Sequence, residues 1–334
     1  MTYEQKISVV VCTYNQEQTI GRALDSILRQ RCEWPIEILI GEDASTDNTG
    51  AICRDYAAQY PDIVRLFSRP QNWGLVRNYY DCLHEARGKY IADLAGDDEW
   101  CDPQKLSKEL HLFETHPEVV LVHTDYRLRY AESGQLDLAP FYPYPKGVIE
   151  GKNLTTYILT QLERPVVHLC TAMYRTEAYR TCYEAYPSLF DHQKYRCEDL
   201  QLCALLSQRG SFAYIDSVTL NYSIAPSISN TYDDAKQFAF VKQATQLSYD
   251  LQQALQLPND STLRHYFSLR IHALMMHAFR AHRPKLRQEA LTCAEQWGAK
   301  LFFKTKIISL LTSTELLWRC SLLLRKKVLQ LFRH

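Results

Sequence analysis

Two adjacent carboxylates, Asp97 and Asp98, stand shortly after an apolar, strand-like segment that runs from residue 90 to residue 94. Gly96 lies between the segment and the acids, and its lack of a Cβ atom permits a tight turn. In an open parallel α/β sheet, ligands bind at the carboxyl ends of the strands. Carboxylates placed there suit a hard divalent cation and the phosphates that it carries. The pattern therefore predicts a metal and diphosphate site.

A second pair of acids, Glu42 and Asp43, follows a second apolar segment, residues 36–40. A third segment, residues 7–12, is apolar and β-branched, as central parallel strands are. No Gly-x-Gly-x-x-Gly or Gly-x-x-x-x-Gly-Lys-Ser/Thr motif follows it, so we do not expect a glycine-rich helix N-terminus to hold the phosphates. This argues against nicotinamide dehydrogenases and P-loop enzymes.

Four motifs, in this order and spacing, resemble the family 2 glycosyltransferases. They are Ser8–Asn15, Glu42–Thr49, Asn72–Gly74 and Gly88–Asp98. The resemblance extends over residues 5–225 and implies the GT-A fold, an α/β architecture with a mostly parallel nucleotide-binding sheet flanked by helices. It also implies inverting transfer of a sugar from a nucleotide diphosphate, and a Glu-Asp pair downstream that Glu198 and Asp199 supply.

The resemblance assigns Asp98 as the direct ligand of Mn²⁺ or Mg²⁺, Asp97 to the sugar or its ribose, and Asp199 as the catalytic base. Ala95 stands where many relatives have an acid. The division of ligand binding between Asp97 and Asp98 is therefore left open. Many relatives also carry a histidine after the last strand, but residues 221–227 contain none. The structural alternatives are acids that cap the next helix and, for Asp199, an acid favoured by a helix dipole.

The resemblance also implies a nucleoside pocket, expected to hold uridine. Its predicted side chains are Thr13, Tyr14, Asn15, Glu42, Asp43 and Arg77. In the family the first acid of the second motif accepts a hydrogen bond from the uracil N–H. Here that acid is Glu42, one methylene longer than the usual aspartate, so either the base is displaced or the role passes to Asp43. The alternatives are a core aromatic for Tyr14 and a surface cation for Arg77.

Composition excludes several classes of protein. Lysine plus arginine total 38, as do aspartate plus glutamate, so no overall field favours nucleic acid. The eleven cysteines are scattered without a Cys-x-x-Cys pair, which predicts a reduced, cytoplasmic protein. We find no signal peptide before the first strand and no apolar run of about 18 residues.

The element pattern predicts three regions. Residues 1–120 form the nucleotide-sugar-binding half of a catalytic domain, residues 121–232 its acceptor-binding half, and residues 233–334 a helical C-terminal region. In residues 300–334 basic and apolar side chains interleave with the single acid Glu315, which favours peripheral contact with the inner face of the cytoplasmic membrane. A helix packed on the catalytic domain is the alternative.

The sequence thus predicts an inverting, metal-dependent hexosyl- or similar transferase that uses a UDP-sugar. The acceptor is the hydroxyl of a saccharide or a lipid-linked saccharide, in the synthesis of cell-surface polysaccharide or glycolipid. One alternative is a sugar nucleotidyltransferase, which would need a glycine-rich basic loop in place of residues 13–17. The other is an inactive nucleotide- or sugar-binding module, which Ala95 favours and the acids oppose.

Overall fold

The computed structural model of the protein describes residues 3–139, 141–161, 164–224 and 233–331. The chain divides into two compact units, residues 1–225 and residues 226–334. The first unit contains a ten-stranded sheet with helices, and the described part of the second is helical. This confirms the predicted α/β class and the helical C-terminal region.

The strands are β1 Glu4–Thr13, β2 Ile36–Glu42, β3 Val64–Ser68, β4 Gly88–Ala95, β5 Glu99–Trp100, β6 Val119–Tyr130, β7 Leu136–Leu138, β8 Gly147–Glu150, β9 Ala172–Arg175 and β10 Ser211–Ile224. The helices of the first unit are α1 Ile20–Leu28, α2 Thr49–Gln59, α3 Leu75–His84, α4 Lys105–Thr115, α5 Thr155–Thr160, α6 Thr176–Ala185 and α7 Asp199–Leu206. The second unit contains α8 Asp234–Ala254, α9 Ser261–Ala281, α10 Pro284–Gln296, α11 Phe303–Leu311 and α12 Glu315–Leu331.

The main path of the sheet runs β3-β2-β1-β4-β9-β6-β10-β5, with β7 paired to β6 and β8 paired to β10. The long ladders are parallel: β1 pairs with β2 and β4, β2 with β3, and β6 with β10. Their central residues, among them Val9, Ile38 and Ala92, are fully buried, as the unbroken apolar runs of the sequence require. Because β1, β2 and β4 are parallel neighbours, their carboxyl ends lie at one edge.

Helix α4 begins at Lys105, after a turn in which Asp102 Oδ1 accepts the N–H of Gln104 at 2.8 Å. Neither Asp97 nor Asp98 caps this helix, so the capping alternative for those two acids is wrong. Their positions need another explanation.

The second unit buries two tryptophans, Trp297 and Trp318, and the indole N–H of Trp318 donates to the carbonyl of Phe279 at 2.9 Å. Its last two helices, α11 and α12, nevertheless carry many exposed apolar side chains. These include Phe303, Ile307, Leu310, Leu316, Leu317 and Leu323. Of the helices that the structure describes, none is both long enough and apolar enough to cross a membrane.

Candidate active site

The strand register brings the ends of three strands together. Thr13 pairs with Glu42 between β1 and β2, and Cys12 pairs with Ala95 between β1 and β4. The loops that follow are tied by main-chain bonds: Asp43 N–H donates to the Thr13 carbonyl at 3.1 Å, and Gly96 N–H donates to the Cys12 carbonyl at 3.2 Å. The end of the first motif and the acids of the second and fourth motifs therefore line one edge of the sheet.

Asn15 joins the loop after β1 to the loop after β2. Its backbone is left-handed, with φ +52°, a conformation that asparagine tolerates better than most residues. Its Oδ1 accepts the N–H of Thr46 at 2.8 Å, and its own N–H donates to Ser45 Oγ at 3.0 Å. Asn15 therefore holds the two loops together.

Glu42 and Asp43 are both buried but are held differently. Glu42 Oε1 accepts the N–H of Ser45 at 2.7 Å. Asp43 accepts two main-chain N–H groups, from Trp73 at 2.7 Å and from Gly74 at 2.9 Å. Gly74 has φ +83°, which only glycine adopts without strain. Asp43 thus fixes the loop that carries the third motif.

That loop positions Arg77. Its guanidinium lies 4.0 Å from the centre of the Trp73 ring, and Arg69 lies 4.6 Å from the same centre. Arg77 is exposed, but this stacking restricts its position. Tyr14 is 43% exposed, so the alternative of a core aromatic is wrong.

Gly96 allows the acid loop to approach the end of β1. A Cβ atom at this position would lie 2.8 Å from Thr13 Oγ1, which donates to Gln16 Oε1 at 2.8 Å. Burial raises the pKa of Asp97, and a hydrogen bond from the Gln16 side chain opposes that rise. Sequence reasoning missed Gln16, since a single glutamine in a turn carries no recognisable signal.

Asp98 is 1% exposed, and its two oxygens have different surroundings. Oδ1 accepts the N–H of Ser223, near the end of β10, at 2.8 Å. Oδ2 is buried and makes no hydrogen bond of normal geometry to a described residue, and the thiol of Cys170, a weak donor, lies beside the carboxylate. Burial and the charge of Asp97 raise the pKa of Asp98 to about 8. A buried carboxylate oxygen without a partner is costly unless a ligand satisfies it.

This oxygen fits a hard divalent cation, since carboxylate oxygens are the ligands that Mg²⁺ and Mn²⁺ prefer. The described ranges contain no group of three or more histidine, cysteine or acidic side chains that could hold a metal ion. Most of the coordination shell would therefore have to come from substrate oxygens and water. The predicted lack of a histidine concerns residues 221–227, of which 225–227 lie outside the described residues.

Asp199 is the first residue of α7, and the thiol of Cys197 donates to its Oδ1 at 2.7 Å. Burial and the charge of Asp199 raise the pKa of the neighbouring Glu198. The hydroxyl of Tyr80 donates to the Glu198 carbonyl at 2.9 Å, which attaches the start of α7 to α3. No hydrogen bond between described residues joins Asp199 to Asp98.

Asp93, inside β4, was not predicted as a site residue. It is 3% exposed, and its carboxylate lies beside the hydroxyls of Tyr79 and Tyr174. Burial raises its pKa to about 7, and the hydroxyls of Tyr79 and Tyr174 oppose that rise. The available signal was an acid within an otherwise apolar strand.

Comparison with known proteins identifies the family. The family model described as Glycosyl transferase family 2 matches residues 8–182. The chain belongs to glycosyl transferase family 2. The putative glycosyltransferase EpsE of Bacillus subtilis strain 168 is 32% identical over 212 residues, which are 63% of this chain and 69% of EpsE.

Other relatives carry names that assign no function. The uncharacterised protein Rv1520 of Mycobacterium tuberculosis strain H37Rv is 43% identical over 129 residues, 39% of this chain and 37% of that protein. The chain thus matches little more than a third of the length of such relatives.

Solved structures share the fold of this glycosyl transferase family 2 chain. S. aureus TarS 1–349 in complex with UDP-GlcNAc has a TM-score of 0.51 and 16% sequence identity, over 85% of this chain and 83% of that chain. A second structure of S. aureus TarS has a TM-score of 0.52 and 17% identity, over 88% of this chain and 54% of that chain. At these identities the likeness supports the GT-A fold alone.

Proposed function

We propose that this glycosyltransferase transfers a sugar, with inversion, from a UDP-linked donor to an acceptor hydroxyl. The observation that carries the proposal is one edge of the sheet, where the Glu42 loop follows β2 and the buried Asp98 Oδ2 follows β4, on either side of β1. One side of that edge suits a nucleoside and the other a diphosphate with its cation. Residues 1–120 would hold the donor and residues 121–232 the acceptor.

Each predicted donor residue has a position consistent with a role. Glu42 would accept the uracil N–H through Oε2, since the hydrogen bond from Ser45 in the described part of the chain engages Oε1. Tyr14 is exposed enough to stack on the base. Thr13, Asn15 and Asp43 would act mainly by shaping the pocket, through the bonds described above. Arg77, stacked on Trp73, would reach the base or a phosphate.

Asp98, with Asp97 beside it, would hold Mn²⁺ or Mg²⁺. When bound, such a cation neutralises charge that develops on a departing diphosphate. Asp199 would take the proton from the acceptor hydroxyl, a task that suits a carboxylate placed near a developing oxocarbenium-like centre. The Cys197 thiol that donates to Asp199 Oδ1 would orient the carboxylate and leave Oδ2 for the acceptor.

Calorimetry with UDP tests the donor site. We expect UDP to bind with Mn²⁺ present and to lose most of its affinity with EDTA or in Asp98→Ala. Asp62→Asn, which changes an exposed aspartate away from the site, should bind like the parent. Equal UDP binding with and without the cation would overturn the metal role, and absence of binding to any nucleoside diphosphate would overturn the proposal. UDP-GlcNAc, the ligand in the TarS complex, is the first donor to screen for transfer.

We further propose that helices α11 and α12 contact an anionic membrane surface, at the inner face of the cytoplasmic membrane. Phe303 is 81% exposed and Leu316 is 73% exposed, while Lys304 and Lys306 are exposed beside them. Exposed apolar and basic side chains on one helical segment are typical of interfacial binding. Of the predicted segment 300–334, residues 332–334 lie outside the described residues.

Such placement would suit a lipid-linked acceptor and synthesis of a cell-surface polysaccharide or glycolipid. Co-sedimentation with vesicles of phosphatidylcholine and phosphatidylglycerol is the test. We expect binding at low salt that Phe303→Ser weakens. Phe141→Ser is the matched control, because Phe141 in the first unit is 82% exposed against 81% for Phe303. Failure of the full chain to sediment would contradict the membrane proposal without affecting the donor site.

A further inference from the structure

A basic cavity lies beside the acid loop, in the first unit. It has a volume of about 450 Å³ and is bounded by the C-terminal end of α1, by β5, and by parts of β6 and β10. The charged side chains in its lining are four arginines and one glutamate. They are Arg29, Arg31, Arg127, Arg129 and Glu99. The lining therefore carries an excess of three positive charges.

Glu99 is the acid around which these cations gather. Its Oε2 lies 2.9 Å from Arg129 Nη2, and its Oε1 lies 3.5 Å from Arg29 Nη2. Arg22, outside the cavity lining, approaches Oε2 at 3.9 Å. One carboxylate thus faces three guanidinium groups and cannot neutralise them.

The other two arginines of the lining have no carboxylate partner among the described residues. Arg127 Nε donates to the amide oxygen of Asn221 at 2.6 Å, a neutral group that positions the guanidinium and leaves its charge uncompensated. Arg31 is exposed in the segment that follows α1. The planar guanidinium fork matches phosphate oxygens in geometry, and arginine is the residue most used for such recognition.

We propose that this cavity binds a phosphate or diphosphate group through Arg31, Arg127 and Arg129, at a site separate from Asp98. The excess charge favours phosphate over a carboxylate, because a phosphate group carries about two negative charges at neutral pH and a carboxylate carries one. The site is next to the acid loop, since Arg22 Nη2 donates to the Asp97 carbonyl at 3.0 Å. The group belongs either to a lipid headgroup or to a soluble phosphate.

Calorimetry of the full chain with inorganic pyrophosphate, in EDTA, tests the site without a divalent cation at the donor acids. We expect pyrophosphate to bind, and Arg31→Gln/Arg127→Gln to weaken binding by about tenfold or more, since two charge-assisted contacts are lost. Arg87→Gln, which removes an exposed arginine outside the cavity, is the matched control and should change the affinity less than about twofold.

A second variant should raise the affinity for pyrophosphate, a change that misfolding would not produce. Glu99→Gln removes the negative charge of the described lining while it keeps the shape, so pyrophosphate should bind more tightly. Absence of binding, or equal binding by the Arg31→Gln/Arg127→Gln variant, would overturn the proposal. The proposal would also be wrong if Asp98→Ala weakened pyrophosphate binding and the arginine variant did not. The anion would then occupy the donor site. If UDP failed to bind with Mn²⁺, the proposed donor site would be wrong, but pyrophosphate binding at the arginines would still support the cavity site.

The source of the phosphate is distinguished with dihexanoyl phosphatidic acid, a water-soluble lipid that avoids vesicle binding through α11 and α12. An affinity about tenfold above that of pyrophosphate, lost in Arg31→Gln/Arg127→Gln, would assign the cavity to a lipid headgroup. Equal or weaker affinity than pyrophosphate would assign it to a soluble phosphate. Both results support the anion site.

Discussion

Replacement of Asp93 by asparagine should stabilise the protein at alkaline pH and leave its stability nearly unchanged in acid. Asp93 lies within β4 and is 3% exposed, and the polar groups beside its carboxylate include the hydroxyls of Tyr79 and Tyr174. Asparagine has almost the shape of the protonated acid but never carries the charge. The substitution therefore removes the cost of a buried carboxylate at pH values where the acid is ionised.

The sign of the change in stability with pH follows from the number of protons that the folded and unfolded states bind. Burial raises the pKa of Asp93 from 3.8 to about 7 in the folded protein. Between these two values the folded state binds one proton more than the unfolded state, so the free energy of unfolding falls as pH rises. The shift sets a ceiling of about 4 kcal/mol on the loss between pH 4 and pH 7, at about 1.4 kcal/mol for each pH unit. Above pH 7 the contribution is constant.

Urea unfolding of parent and Asp93→Asn at pH 5 and pH 8 measures the effect. We expect the gain for the variant to be at most about 2 kcal/mol at pH 5, where part of the loss is already present, and to rise to as much as about 4 kcal/mol at pH 8. Asp62→Asn, an exposed control, should show almost none at either pH. If Asp93→Asn were no more stable than the parent at pH 8, or if the difference did not change with pH, the reasoning about burial would be wrong.

Three further changes test the site and its support. Asp199→Asn should abolish transfer and leave UDP affinity within a few-fold, because a base acts in the transition state; near-normal turnover would return Asp199 to a structural role. Gly96→Ala should weaken UDP–Mn²⁺ binding in calorimetry, since its Cβ would lie 2.8 Å from Thr13 Oγ1; unchanged affinity would contradict this. Glu109→Gln should cost about 3 kcal/mol in urea unfolding at pH 8, because it breaks a fully buried pair with Lys105 at 2.8 Å; a loss below about 1 kcal/mol would contradict it.

The edge that carries the proposed donor site was predictable from sequence because apolar runs mark parallel strands and the acids come soon after those runs. Gln16 and Asp93 show where such reasoning fails. Gln16 belongs to the site through a side-chain contact between two loops, which no local pattern encodes. Asp93 alternates with Ala92 and Leu94, so it points to the opposite face of the sheet from those two core residues. The run is apolar as a whole, so its sequence does not show that one residue lies on a different face.

The bond from Ser223 to Asp98 has a consequence for how this site can change during evolution. The donor to Asp98 Oδ1 is a main-chain N–H, which every residue except proline supplies. A substitution at 223 by another small residue would lose only the bond from Ser223 Oγ to the Asp97 carbonyl. Variation at position 223 among relatives would therefore be a poor indicator of lost activity. Proline there would mark a chain in which the acid has lost its anchor.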